Sequence, residues 1–418
     1  MKAEDYFQKD NCRICQSTSL EKVVELTPTP PGNNFLSKDQ IGTKEKEYPL
    51  ELHFCNICHH VQLGHVVDPS FLFQNNYSYV SGTSPVFVNH LSEYAKYVID
   101  LFNLKKSSLI VDIGSNDGTC LSVFKKMGMR VLGVDPAKEI AKFATSRGVE
   151  TIPDFFSINL ANIILSEHGQ ADMITSHNTC AHIDELDGVI EGVEGLLNDD
   201  GVFIMEVGYF VDVFQNKWFD TIYHEHVDFH TVAPLKILFD RFNMELIRVE
   251  RIRPQGGSIR VMVQKKKGLL KRDKSISTLI SLEKKLGLNK ADTFIDFQNQ
   301  INIIKGKFQN LIQKIKNSGK SIAAFGAPTK ATTLTYHFQI EKEHIDFIVD
   351  DNPLKQGFYS PGKHIPIYDA SKIYSENPDY LLILAWNFAD SIIEKHQKYV
   401  SMGGSFILPM PSPMIVKN

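Results

Sequence analysis

The sequence predicts an α/β protein: a small cysteine-bearing N-terminal module, a doubly wound middle domain, and a second, smaller α/β unit at the C-terminal end. Three observations carry that prediction. Four of the six cysteines form two C-x-x-C pairs within the first 58 residues. From Ser108 short apolar runs alternate with segments of helical length, and after an interruption the alternation restarts at Lys320. Such alternation requires crossover connections, which place helices on both faces of a parallel sheet.

A chain of 418 residues corresponds to two to three domains at about 150 residues each. Lys plus Arg number 45 against 49 Asp plus Glu, a formal charge of -4, so bulk electrostatics offer no attraction to a nucleic-acid backbone or an anionic membrane. Hydrophobic residues at 43% and charged residues at 22% are ordinary for a globular protein. No apolar stretch approaches the roughly 20 residues that span a bilayer, and the opening MKAEDYFQKD has no apolar secretory segment. A soluble, cytoplasmic protein acting on a small molecule is expected, without nucleic-acid or membrane partners.

Residues 1–66 are expected to form a zinc-binding module. Cys12-x-x-Cys15 and Cys55-x-x-Cys58 can place four thiolates tetrahedrally around Zn²⁺; two unrelated pairs of redox or buried thiols are the alternative. The 39 residues between the pairs exceed the usual zinc-finger interval, so the segment with Pro28, Pro30, Pro31 and Gly32 is expected to form its own loop. His59 and His60 could substitute as ligands, but four thiolates already close a structural site.

Residues 67–267 are expected to form the middle domain. The aromatic stretch FLFQNNYSYVSGTSPVF leads into a helix predicted over 88–101. The runs SLIVDIG, RVLGVD, ADMITS and GVFIMEV are its strands, and 245–252 with 258–264 would add an antiparallel edge. Residues 268–319 read as a helical connector: Phe297, Ile301, Ile304, Phe308, Leu311 and Ile315 lay one apolar stripe along a helix, ended by Gly319. Residues 320–418, with SIAAFG, IDFIVD, YLLIL and SFILP, form a second, Rossmann-like unit.

The segment VDIGSNDGT, 111–119, lies where the first middle-domain strand turns into a helix. Gly114 permits close approach of a ligand to the backbone and Gly118 eases helix entry. An acidic residue in the turn, Asp117, would repel a pyrophosphate, whereas a sulfonium-bearing amino-acid cofactor fits. Asp135, 23 residues after Asp112, ends the second strand where a carboxylate accepts bonds from ribose hydroxyls. Asp112, Gly114, Asn116, Asp117 and Asp135 are therefore expected to bind S-adenosylmethionine. Another nucleotide-binding domain, or a turn without a ligand, is the competing reading.

Two later segments concentrate polar groups: 176–184, with Asn178 and His182 at a strand end, and Tyr223-His-Glu-His226 followed by Asp228 and His230. A histidine general base, a metal held by His224, His226 and His230, or structural histidines are the readings this pattern allows. In Phe325-Gly-Ala-Pro-Thr-Lys330 the turn at Gly326 presents amides to an anion and Lys330 adds positive charge. Asp351 and Asn352 end the next strand, where they would contact a ribose or base, or form only a turn before Pro353. Lys355 and Lys363 could reach phosphates.

Taken in order, the two C-x-x-C pairs, VDIGSNDGT, Tyr223-His-Glu-His226, Gly256-Gly-Ser-Ile-Arg260 and Phe325-Gly-Ala-Pro-Thr-Lys330 resemble the bacterial nucleotide-sugar C-methyltransferases over nearly the whole chain. Gln255 and Cys120 depart from that family's pattern. The resemblance implies a zinc-binding N-terminal domain, a middle domain binding S-adenosylmethionine and a Rossmann-like C-terminal domain. The implied reaction is methylation of carbon 3 of a 4-keto-6-deoxy sugar nucleotide in deoxysugar biosynthesis. It implies further that His226 is the general base, that Glu225 orients or tunes it, and that Tyr223 lies close to the keto-sugar. Asn178 and His182 are candidates for holding the enolate or hydroxyls, and Arg260 for contacting the diphosphate. Tyr79 and Ser81, with Tyr77, Thr83 and Ser84, match the family's segment lining the cofactor and sugar pockets. A histidine would suit this base role at its ordinary, near-neutral pKa. An O- or N-methyltransferase needing no carbon acid, and a zinc-ribbon scaffold or adaptor, are the alternatives.

Overall fold

The run LIVDI is buried along its whole length, as a strand covered by helices on both faces must be. The computed structural model describes residues 5–74 and 79–416, so Tyr77 lies outside the described residues, as does the side chain of Gln255. Among the described residues the middle domain carries a seven-stranded sheet in the order Met244–Ile252, Ser258–Lys265, Leu197–Gly208, Ala171–His177, Leu109–Ile113, Arg130–Val134, Thr151–Ile152. Five of these strands pair parallel in succession, and Ser258–Lys265, which runs against all the others, pairs antiparallel with both its neighbours to make the predicted edge. The chain reverses its direction of winding at Leu109–Ile113, which places a ligand crevice at the carboxyl ends of that strand and of Ala171–His177. The helix Pro85–Phe102 covers this sheet, with Leu91, Tyr94, Ala95 and Val98 turned inward.

The cysteine module is not closed within its own sequence. Its sheet runs Asp228–Phe229, Val61–Leu63, Tyr48–Cys55, Leu20–Thr29, so the strand at one edge comes from the segment that follows His226. The proline segment also differs from expectation. Pro28 lies inside the strand Leu20–Thr29, where the register shifts between Leu26 and Thr29 and so accommodates a residue without an amide donor.

The connector is two helices, Ser275–Lys285 and Ala291–Asn317. The buried stripe of the second comprises Phe294, Phe297, Ile301, Ile304, Phe308, Ile312 and Ile315. Leu311, assigned to the stripe from the sequence, is only partly buried; the step after Phe308 is four residues, which brings Ile312 to the core. Gly319, at φ +74°, follows the helix. Phe294 packs on Phe54 of the cysteine module and on Phe210 of the middle domain, while Phe308 packs on Phe338 of the C-terminal unit. That unit has a six-stranded sheet, Ile367–Tyr368, Ile348–Val349, Ile322–Phe325, Tyr380–Ile383, Ser405–Leu408, Met414–Val416, parallel except for its last strand. Among the described residues no helix is long and apolar enough to cross a membrane.

Candidate active site

A cavity of about 1280 Å³ opens at the carboxyl ends of the middle-domain strands, walled also by Asn33 of the cysteine module and by Lys330 of the C-terminal unit. Pockets for one drug-sized ligand measure about 300–1,000 Å³. This one has room for two.

One end is built by the VDIGSNDGT turn. Gly114 sits at φ +77°, and a Cβ there would come within 2.0 Å of Thr179 Oγ1, so only glycine fits the turn. Asp112 is 2% exposed, its Oδ1 has no partner among the described residues, and burial pushes its carboxyl up to about 7. Asp135 accepts hydrogen bonds from the amides of Asn116 and Ala137 at 2.8 and 2.9 Å, which fixes its carboxylate on the cavity wall. Asn116 ties in the aromatic loop: its Oδ1 accepts from Ser81 N at 2.8 Å and its Nδ2 donates to Tyr79 O at 3.0 Å. Tyr79, Ser81 and Asn116 all reach the cavity. Asp117 does not. Its carboxylate accepts from Gly82 N and from the amide and hydroxyl of Thr119, the first residue of the helix Thr119–Lys126, so it supports the loop instead of facing a cofactor.

The middle of the cavity holds the polar segments. His226 Nδ1 donates to the Thr221 carbonyl at 2.9 Å, which leaves Nε2 as the acceptor of a 2.8 Å bond from the Tyr223 hydroxyl. The centres of the His182 and His226 rings lie 5.1 Å apart, and Phe73 stacks on His182. Burial, reinforced by the Lys330 charge, depresses His226 to about 4, and burial with His226 nearby holds His182 well below the ordinary range. The expectation of a near-neutral base is thereby corrected: at pH 7 both imidazoles are neutral. Asn178 also lines the cavity, with φ +56° and its amide bonded to Glu206 O.

Glu225 does not orient His226. Its Oε1 accepts from Asn33 Nδ2 at 2.8 Å, and burial raises its carboxyl to about 7. Asn33 Oδ1 in turn accepts from Thr329 Oγ1 at 2.8 Å, so this one residue joins all three parts of the chain at the cavity. Neither His224 nor His230 faces a metal. His224 donates to the Tyr48 carbonyl, and His230 packs against His60, which is bonded to Asp228 at 2.6 Å.

At the other end Gly326, at φ +92°, starts the strand-to-helix turn, where a Cβ would meet Ala385 at 2.6 Å. Lys330 Nζ lies 3.6 Å from the Trp386 ring centre and donates to Asn387 Oδ1 at 2.9 Å; burial lowers its pKa to about 8 against the opposing charge of Asp220. Asn352 and Lys355 line the same wall, Asn352 Oδ1 also closing a turn onto Leu354 N. Two expectations fail here. Asp351 is exposed and pairs with Lys395; the strand-end acid is Asp350, which accepts from Ala327 N and Asn352 N just as Asp135 accepts from Asn116 N and Ala137 N. Arg260 lies directly across from Glu206 in the sheet, pairs with it at 2.7 Å and with Glu250 at 3.2 Å, and does not reach the cavity. Lys363 pairs with Glu341 away from the cavity.

The four cysteine sulfurs, from Cys12, Cys15, Cys55 and Cys58, lie within 4.8 Å of one another. Sulfurs at the corners of a zinc tetrahedron with ~2.3 Å bonds are separated by about 3.8 Å, so the cluster fits zinc. It is the one such group of metal-ligating side chains among the described residues.

Sequence reasoning missed Asn33, Thr221, the buried Asp220 that accepts from Trp386 Nε1 at 2.6 Å, and Phe73. Asp220 and Thr221 were within reach, six and five residues before His226, and Phe73 lies in the aromatic stretch; Asn33 joins the site from a distant segment and left no local signal.

Family models match three consecutive stretches: a "Putative zinc binding domain" over 12–73, a methyltransferase domain over 87–249, and a C-methyltransferase C-terminal domain over 253–411. The chain is 32% identical over 407 residues to the C-methyltransferase NovU of Streptomyces niveus, covering 97% of each. Among solved structures, magnesium protoporphyrin IX methyltransferase from Synechocystis aligns with 12% identity and a TM-score of 0.33, covering 46% of this chain and 86% of its own. A methyltransferase from Clostridium acetobutylicum aligns with 15% identity and a TM-score of 0.35, covering 43% and 92%.

Proposed function

This chain belongs to the S-adenosylmethionine-dependent C-methyltransferases with an N-terminal zinc-binding module, and on that premise we propose that it methylates carbon 3 of a nucleoside-diphosphate 4-keto-6-deoxy sugar through an enolate formed by His226. The observation that supports this reading is the His226 imidazole, fixed by Thr221 and Tyr223, in a cavity of two-ligand size walled by both α/β units. A carbon beside a ketone becomes nucleophilic only on losing a proton, so the site needs a base and a group to stabilise the enolate oxygen.

When bound, S-adenosylmethionine supplies a methyl group activated by a sulfonium. Asp135 would take its ribose hydroxyls; Asp112, Gly114 and Asn116, with Tyr79 and Ser81, would form the remainder of its cradle. His226 Nε2 receives the carbon-3 proton, and Thr221 fixes the tautomer that leaves this nitrogen free to do so. Tyr223, released from Nε2 when substrate enters, donates to the keto oxygen. The Lys330 cation stabilises the negative charge that develops, and His182 and Asn178 bind sugar hydroxyls. The turn at Gly326, with Asn352 and Lys355, holds the nucleotide portion. Zinc at the four cysteines is structural and takes no part in these steps.

The test uses substrate deuterated at carbon 3. Deuterium should appear in solvent in step with S-adenosylhomocysteine, and His226→Ala should lower turnover by about 10²- to 10⁴-fold. Methylated product that keeps its deuterium, with activity surviving in His226→Ala, would establish O- or N-methylation instead.

A further inference from the structure

Arg13 lies between the ligands Cys12 and Cys15, and its side chain is 0% exposed. Burying a permanent cation is unfavourable unless it is well bonded, and of this guanidinium Nη2 alone lacks a partner among the described residues. Its bonds cross most of the sequence. Nε donates to Asp184 Oδ1 at 2.8 Å, while Nη1 donates to the carbonyls of Leu63 and Val227 at 2.9 and 3.2 Å.

The destinations are specific. Asp184 stands two residues after His182, and Val227 directly follows His226. The two segments are also tied to each other by Val227 N donating to Ala181 O at 2.9 Å, and to the cysteine module by Leu63 N donating to Val227 O at 2.8 Å. One planar guanidinium therefore grips both backbone segments whose imidazoles face each other at 5.1 Å. The grip is anchored at its other end by the thiolate knuckle and by Arg13 N, which donates to Gln62 Oε1 at 2.9 Å.

We propose that Arg13 is a positioning residue for the active site, setting the relative placement of the His182 and His226 rings from the zinc knuckle. This rests on the reading of His226 as the base. The role requires the fork of a guanidinium, because the ammonium of lysine cannot bond the Asp184 carboxylate and two carbonyls at once.

The test compares full-length, zinc-loaded Arg13→Met and Arg13→Lys with wild type. Lys9 Nζ, 3.0 Å from Asp184 Oδ2, keeps that carboxylate paired in both variants. Expected results are unchanged zinc content, unchanged affinity for S-adenosylhomocysteine and unchanged KM, with kcat reduced about 10²-fold in Arg13→Met, the size of effect a 1 Å misplacement produces. Arg13→Lys should recover part of that loss. Imidazole ¹⁵N resonances of His182 and His226 should shift, while that of His168, remote from the cavity, should not. Should Arg13→Met fail to fold, Asp184→Asn, which keeps an acceptor for Nε, should give a smaller kcat loss with correspondingly smaller shifts of the same two rings. Unmoved resonances, or a kcat loss matching only the loss of zinc-loaded protein, would overturn the proposal. If wild type itself fails to methylate a keto-sugar nucleotide, the functional reading falls; the ring resonances still decide whether Arg13 positions the pair.

Discussion

The chemistry of His226 is set by three neighbours: a carbonyl that fixes its tautomer, a phenol on its free nitrogen, and the Lys330 charge beside it. Its pKa lies at about 4 and that of Lys330 at about 8. In the proposed mechanism the base works unprotonated, so activity is lost as pH falls through the His226 value; the lysine works protonated, so activity is lost as pH rises through its own. A profile of kcat/KM, which reports the free enzyme, should therefore carry its His226 limb near pH 4 and its Lys330 limb near pH 8. Lys330→Arg should carry the alkaline limb upward. Glu225, at about 7, titrates between them, and Glu225→Gln removes whatever inflection it adds. A His226 imidazole resonance that titrates at an ordinary histidine pKa would show the ring to be solvated and remove this account. The local part of this arrangement was legible in the sequence, because Tyr223 and His226 share one turn. Arg260 was misread because its partner Glu206, 54 positions away, is visible only through strand register. Asp351 was misread by a single residue, since a strand ending at Val349 places Asp350, not its neighbour, under the turn.

Among the elements, those with long apolar periods were readable and those defined by partners were not. The middle-domain strands and the antiparallel edge lie where their runs predicted. The two-residue strand Asp228–Phe229 has no period to read, and it exists because Val61 and Gln62 are there to pair with it. The helix Ala291–Asn317 shows an intermediate case, with the stripe recognised and one position displaced. That displacement has a measurable consequence. Phe308 is 1% exposed and wedged against Phe338, so Phe308→Ala should cost about 3–5 kcal/mol in urea unfolding. Leu311, only partly buried, should cost less than about 2 kcal/mol when cut to alanine. Equal losses at the two positions would mean that the helix is rotated from the orientation described.

At the scale of the whole molecule the three parts share one interior. A single apolar core runs from Ile14 and Phe54 through Phe210 and Phe294 to Leu334 and Leu382. The cysteine sheet borrows its edge strand from the middle domain, and the pairs Arg13–Asp184 and His60–Asp228 are buried across the same boundary. A module joined in this way cannot unfold and leave its neighbour intact, because doing so would strand Asp184 and Asp228 without their partners and open a shared apolar face. Structural zinc binds folded protein with an apparent free energy of about 10–16 kcal/mol in small domains, so its removal should be felt throughout the chain. Calorimetry should show one unfolding transition with zinc and one at lower temperature after chelation, each with calorimetric and van't Hoff enthalpies in agreement. An autonomous module would instead melt in a small separate transition on chelation, leaving the main peak and the binding of S-adenosylhomocysteine unmoved. That result would break the link from knuckle to active site, because the segments carrying His182 and His226 would then keep their places without the module that grips them.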